Sequence, residues 1–444
     1  MEKKKSKNSL LLKFADKFKK KKRNKSCSMS REKSSEASRG RRSPSRSKVR
    51  AQSSFQDKDK PVQEAKSKPE MVVEAKVKGP KREKGPRKAE DKKKEAQTAA
   101  PTRIISTIGL RRYESQMEVF TSKTTEKTLK VWVGLLEKVN FRKTLEEDFQ
   151  PIDLMTVDMD KCRIFRKFIN LCQSDNVELL DANRVKGSGE DDLFYHGSVV
   201  TISTNTLKTT ILAQLALLDS PHSLESFWLM VAAHKIQRVF ILSGEDELDK
   251  KAMSEYFPED FREFKTIRVN NRKTVVKTEE QPNTQLYYEV VPKDCAEAPF
   301  AMIEICDFWP DGKIPTIGFG RIAATAASVF DCDIDADATC AIVSNYGAGR
   351  AGAFLVGALA IEKLRSGEPP NIKNIALTVR AQRPGAIETF PQYIFIYIIA
   401  LSYGLKCVKD ANLKARIEKL ISQLEQYGCE KMTEEDEEDA TGQD

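Results

Sequence analysis

Ala341–Gly352, AIVSNYGAGRAG, is the stretch from which the rest of the chain can be read. An apolar run ending at Val343 leads into a turn with Gly347 and Gly349; Arg350 follows, and AGAFLVGALAIEKL then carries apolar residues at helical spacing. The pattern predicts a strand, a tight glycine loop and a helix. Such a loop turns successive backbone N–H groups toward one point, and the helix behind it adds a positive partial charge, so the concavity suits an anion. Arg350 can complete the cradle with a bidentate grip on phosphate or carboxylate. Glycines between a strand and a helix are also ordinary turn residues, so the loop alone does not settle a function.

Outward from that loop, charge divides the chain of 444 residues. Residues 1–100 hold 34 of the 75 Lys and Arg and 13 of the 65 Asp and Glu, a net of +21, which leaves a net of −11 for residues 101–444. The first part lacks the apolar surface to offset the entropy of ordering and reads as a basic, disordered arm over residues 1–110. Within it, SLLLKFADKFKKKKRNK puts Leu11, Phe14 and Phe18 on one helical face ahead of a lysine run. Such a segment suits an anionic membrane surface or nuclear import, and a solvated charge run is the plain alternative. The three consecutive leucines are too short for a secretory signal core.

No run is long enough to span a bilayer; YIFIYIIALSYGL, from Tyr393, reads as a buried core helix. The nine cysteines form no C-x-x-C pair and the three histidines do not converge by spacing, so the sequence supports neither a zinc site nor a disulfide framework, and no metal or cofactor is expected. Residues 416–444 read as a short helix followed by an acidic disordered tail, TEEDEEDATGQD.

Between these ends the periods alternate. Phe120, Leu129, Trp132, Val133, Leu136 and Val139 recur at helical steps. SLESFWLMVAAHKI reads as a helix leading into the strand QRVFILSG; APFAMIEICDFW and TCAIVSN read as further strands. Strands interleaved with helices make an α/β domain over residues 111–415.

In this order the fragments resemble the protein tyrosine phosphatases across residues 118–410. AIVSNYGAGRAG resembles the family's signature loop, His-Cys-x-x-Gly-x-Gly-Arg-Ser/Thr-Gly, with Ser344 where the nucleophilic cysteine falls, Val343 at the histidine and Ala351 at the hydroxyl residue. LLDANRVKG, through Asp181, Arg184 and Val185, is similar to the Asp-x-x-Arg-Val/Ile segment, and FYHGSVV resembles Tyr-Ile-Asn-Ala-Ser/Asn with Ser198 present and His196 where asparagine is usual. Phe227, Trp228, Met230 and Val231 match the Phe-Trp-x-Met-Val helix; Tyr256 and Pro258 match the Lys-Cys-x-x-Tyr-Trp-Pro stretch. Trp309, Pro310 and Asp311 match the Trp-Pro-Asp loop, and Arg383, Gly385, Thr389 and Gln392 the closing element. The resemblance implies a single domain with a twisted mixed sheet flanked by helices.

It also implies a chemistry that these residues carry only in part. In the family a cysteine thiolate attacks phosphorus, loop amides and arginine bind the phosphoryl oxygens, an aspartic acid protonates the leaving group and a glutamine orients water. A thiolate forms readily at a helix N-terminus, whereas Ser344 would need an adjacent base that Val343 does not supply. Cys340 lies four strand residues back, about 13 Å away. Asp311 remains as a candidate acid, and Glu388 stands where the water-positioning glutamine aligns; a carboxylate there repels phosphate. Gln392 suits capping or packing. Cys172, Gln173 and Ser174 fall on the Asn-Arg-Tyr positions, so the ring that sets phosphotyrosine depth is missing.

The expectation is therefore a catalytically inactive, phosphatase-like scaffold or binding module in phosphotyrosine signalling. Its partners would be proteins, among them phosphotyrosine proteins or kinases, with an anionic membrane surface or nucleic acid on the basic arm. It would be cytoplasmic, with nuclear or membrane-peripheral placement through the arm. Gly347, Gly349 and Arg350 are the anion-binding candidates; in the structural alternative Arg350 bonds neighbouring carbonyls and Glu388. A phosphotyrosine reader that binds without hydrolysis and an active phosphatase are the competing readings.

Overall fold

The computed structural model describes residues 123–441 except 139, 187–193, 204–206, 246, 280–282, 294–297, 316–317 and 331–338. The basic arm, with Leu11, Phe14 and Phe18, lies outside the described residues, as do Phe120 and Val139.

In chain order the elements are α1 (Lys123–Leu136), α2 (Phe141–Asp153), α3 (Arg163–Lys167), β1 (Gly197–Ser203), β2 (Leu207–Gln214), α4 (Pro221–Ala233) and β3 (Ile236–Leu242). There follow α5 (Lys250–Tyr256), β4 (Phe261–Glu263), β5 (Ile267–Val275), β6 (Thr284–Pro292), β7 (Phe300–Cys306), α6 (Phe319–Ala327) and β8 (Thr339–Ser344). Four helices close the fold: α7 (Gly349–Arg365), α8 (Ile372–Arg380), α9 (Phe390–Cys407) and α10 (Ala411–Thr441). The predicted helix–strand pair around Phe227, the strand into Cys306 and the strand–loop–helix at Ser344 all form.

The eight strands make one mixed sheet in the order β1-β2-β8-β3-β7-β6-β5-β4. Its centre is parallel, β2 with β8, β8 with β3 and β3 with β7, while the outer pairs are antiparallel. The central strands are buried on both faces, which is why they read as unbroken apolar runs. On β8, Ala341 and Val343 face the core containing Phe227 and Trp228 of α4, whereas Ile342 faces the core built by α7 and α9. Ser344 pairs with Gln214 at the carboxyl ends of the parallel strands, where open α/β sheets place their ligands.

Helix α9 is buried from Pro391 to Gly404, as its apolar run predicts. The C-terminus departs from expectation. Helix α10 is one 31-residue helix that includes most of the acidic segment, and Leu413, Ile417, Leu420, Leu424 and Tyr427 are buried in the larger core. A boundary at residue 415 would cut this helix. The acidic run hides it from a reading by charge, because the anchoring residues recur at helical steps on the N-terminal side of that run.

Candidate functional site

The loop between β8 and α7 is shaped by its glycines. Gly347 has φ of 64°, and a Cβ there would lie 2.1 Å from the carbonyl carbon of Ala213 and 2.3 Å from Gln214 N, so only glycine fits against β2. Its N–H donates to Ser344 O at 3.1 Å and Ser344 Oγ at 3.2 Å, while Leu215 N–H donates to Ser344 O at 2.9 Å. A Cβ at Gly349 would lie 2.8 Å from both amide atoms of Gln392 and from Glu388 Oε2. The closing element therefore sits directly on the start of α7, whose N-terminal N–H groups carry positive partial charge.

Behind the loop is a fully buried guanidinium. Arg383 donates from Nε to Gly347 O at 2.9 Å and from Nη2 to Tyr346 O at 3.0 Å; Nη2 also lies 3.1 Å from His196 Nδ1. An arginine N–H cannot accept, so Nδ1 is the acceptor from Nη2 and His196 carries its proton on Nε2, which donates to Val177 O at 2.9 Å. Burial, with the Arg383 charge beside it, holds His196 well below its ordinary value, and burial brings Arg383 down to about 9. At neutral pH a neutral histidine thus buttresses a cation whose acceptors here are all uncharged. Serine 198 lies 3.5 Å from Arg383 Nη1.

Arg350, 1% exposed, is held from two sides. Nη1 and Nη2 each donate to a Glu247 oxygen at 2.8 Å, Nη1 also donates to Trp309 O at 2.7 Å, and Nε forms an ion pair with Asp311 Oδ1 at 3.2 Å without a hydrogen bond. A carbonyl partner was expected; Glu388 as its ion-pair partner was not the outcome. Glu247 takes that role from the turn after β3, 103 residues away in sequence. Trp309 is buried edge-on to Phe395 at 4.8 Å, and its ring Nε1 donates to Lys313 O, which fixes the turn carrying Asp311.

Glu388 completes the mouth. It follows Ile387, a β-branched residue at φ 61°, a costly conformation kept in place by Arg380 Nη1, which donates to Ala386 O and Ile387 O. Burial pushes the Glu388 carboxyl above its ordinary value, the Asp311 charge adds to that, and Arg380 and Arg350 oppose it. Gln392 Oε1 accepts from Glu388 N–H at 2.9 Å, while the buried Nε2 has no hydrogen-bond partner. The expected capping role falls on Thr389, whose side chain accepts from Gln392 N–H and donates to Gly312 O.

These surroundings can be compared with known proteins. Residues 169–402 match the family model described as protein-tyrosine phosphatase, more than half of the chain. The chain belongs to the protein-tyrosine phosphatase family. It is 66% identical over 443 residues to the Caenorhabditis elegans "Putative tyrosine-protein phosphatase B0280.11", covering 99% of each chain. It is 23% identical over 277 residues to the human receptor-type tyrosine-protein phosphatase alpha, spanning 61% of this chain and 34% of that one. Two solved structures share the fold: the Trypanosoma cruzi protein tyrosine phosphatase TcPTP1, with TM-score 0.52 and 15% identity over 61% of this chain and 95% of that one, and a structure titled for the PTPN18 fingerprint on distinct HER2 tyrosine phosphorylation sites, with TM-score 0.51 and 18% identity over 61% and 99%.

In this phosphatase fold Ser344, Gly347, Gly349, Arg350, Asp311, Glu388 and Gln392 form one cluster, as the motif order implies. Glu247 was missed; its only local signal was an acidic turn directly after a buried strand. Cys340 is buried within β8, its Sγ 3.8 Å from Thr210 Oγ1, and not in the loop. Gln173 also has a role that its sequence did not reveal. Its N–H donates to Gln214 Oε1, and its amide donates to Leu215 O and Ala216 O, tying the segment to the end of β2. Asp181 is structural, accepting from Arg163 N–H and Ile164 N–H at the start of α3. Among the described residues no group of three or more His, Cys, Asp and Glu side chains could hold a metal, and no helix is long and apolar enough to cross a membrane.

Proposed function

We propose that this family member binds rather than hydrolyses, as a pseudophosphatase-type scaffold in phosphotyrosine signalling. The observation that carries the reading is the chemistry at Ser344, which stands in the signature register where the nucleophilic cysteine falls. Its Oγ accepts a hydrogen bond from Gly347 N–H, whereas an attacking alkoxide needs a base to take its proton. His196 is engaged by Arg383 and Val177, and His234 Nε2 lies 3.1 Å from Lys186 O. Glu247, Asp311 and Glu388 around Arg350 further disfavour an incoming phosphate.

A second reading, a phosphotyrosine reader, is favoured by one specific feature: Gln392 Nε2 and Arg350 Nε are buried donors without hydrogen-bond partners beside the loop. Buried donors ordinarily have acceptors, and an oxyanion would provide them. Calorimetry on the full chain with phosphotyrosine peptides and their unphosphorylated counterparts separates the two. The scaffold reading predicts equal, weak heats; micromolar affinity for the phosphorylated form alone establishes the reader.

Within this proposal the basic arm, residues 1–110, supplies an electrostatic contact to an anionic membrane surface or to nucleic acid, and the domain contributes protein partners, kinases among them. The protein would then be cytoplasmic, with peripheral membrane or nuclear placement set by the arm.

A further inference from the structure

The antiparallel half of the sheet, β4 to β7, has one buried face and one open to water, as such sheets commonly do. Val269, Tyr288 and Ala301 are buried in the core that contains α4, whereas Arg268 and Phe300 on the opposite face are exposed and Tyr287 and Glu289 half-buried. On that open face the strand register sets Phe261, Asn270, Glu289 and Phe300 side by side across four strands. Lys273, Tyr287 and Met302 make the next row. A register shift between Asn271 and Lys273 turns Arg272 onto the same face, where its Nε donates to Glu289 Oε2 at 3.1 Å.

The rings and cations here are arranged together. Phe261 is 56% and Phe300 46% exposed. The Arg268 guanidinium stands 4.6 Å from the Phe261 ring centroid, and Lys273 Nζ 5.4 Å from that of Tyr287. Arg268 Nε donates to Asn270 Oδ1 at 2.9 Å, and Asn270 Nδ2 donates to Glu289 Oε2 at 3.1 Å. Glu289 is thus taken up by Arg272 and Asn270, while neither Arg268 nor Lys273 has a carboxylate partner among the described residues. Phe300 and Tyr287 are diagonal neighbours on adjacent strands, about 7–8 Å apart. Phe261 lies three strand spacings from Phe300, about 14 Å.

We propose that this open face of β4 to β7 is a stacking platform for single-stranded nucleic acid. A base needs only a ring face to stack on, and its phosphate finds the unpaired cations beside the rings. An acidic peptide would use the cations and leave the rings in water. Residues 101–444 carry a net of −11, so a polyanion seated on the domain is held by a local feature and not by its overall charge. The platform is independent of the chemistry at Ser344, so its test and the hydrolysis assay fail separately.

The probe is a short oligouridylate carrying 4-thiouridine, cross-linked by light to the full chain, with the linked residues read by peptide mass spectrometry. Residues 1–110 would also attract it by charge, so the readout is the place of linkage and not the total bound. Linkage is expected at Tyr287, and its yield should fall roughly fivefold or more in Phe261→Thr with Phe300→Thr, which leave Tyr287 itself in place. Arg268→Ser with Lys273→Ser, also confined to exposed side chains, should lower it similarly without altering linkage to the arm. Linkage confined to the arm, or an unchanged yield at Tyr287 in either double variant, overturns the platform. Loss of the Tyr287 linkage to polyglutamate but not to unlabelled oligouridylate would instead assign the face to an acidic peptide and refute the proposal.

Discussion

Asp311 Oδ1 lies 3.2 Å from Arg350 Nε, on the side of the guanidinium that Glu247 leaves open. A bidentate oxyanion would need that side, because Glu247 spans Nη1 and Nη2. The loop's arginine thus faces carboxylates of the chain itself, with Glu388 as a third acidic group at the mouth.

Glu388 should make stability depend on pH. Its folded value is raised above the ordinary 4.5, so the folded state binds the proton more tightly, and stability falls as pH rises from about 4.5 through the higher folded value. Glu388→Gln removes the penalty. Thermal melts should show the variant more stable than wild type at pH 7, with the gap closing toward pH 4; a gap that widens in acid has the wrong sign.

Arg350 should matter more to the fold than a surface arginine. Arg350→Met leaves Glu247 and Asp311 facing each other and the Trp309 carbonyl without a donor. Removing one member of a buried pair costs about 3–5 kcal/mol; Glu247 is 31% exposed and can regain water, so about 2–3 kcal/mol is expected. Urea unfolding of the single variants and of Arg350→Met with Glu247→Leu forms the cycle. Additive losses would mean that the pair is not coupled.

The glycines should separate by what each one faces. Gly347→Ala puts a methyl group into the β2 backbone at a positive φ and should cost more than about 3 kcal/mol. Gly349→Ala meets only side-chain ends of Gln392 and Glu388, which can turn aside, and should cost about 1–2 kcal/mol. Comparable melting temperatures for the two would contradict this assignment.

Much of this site was legible in the sequence because its motifs are local. The glycine loop, Trp309 to Asp311, and Arg383 to Gln392 are short strings whose types and spacing report their turns. What escaped notice was long-range. Glu247 meets Arg350 across 103 residues, and His196 meets Arg383 across 187, pairings that neither helical nor strand periodicity encodes. The reach of α10 was missed for another reason: charge was weighed ahead of the apolar steps from Leu413 to Tyr427.

The basic arm should bind polyanions with strong salt dependence. Each phosphate neutralised by Lys or Arg releases counterions, so affinity of residues 1–100 for anionic vesicles or RNA should fall steeply across a salt series. Vesicle binding lost on Phe14→Ala with Phe18→Ala favours the membrane surface; a flat salt response removes the electrostatic account.

The most direct measurement of the central claim is turnover of a phosphotyrosine peptide and an aryl phosphate by the full chain, with Ser344→Cys and Asp311→Ala alongside. The account predicts no hydrolysis above the buffer rate in wild type. Ser344→Cys should remain far below an intact family member, because Glu388 is still in place and the Ser174 position still lacks a ring. Steady wild-type turnover that disappears in Asp311→Ala would contradict the account.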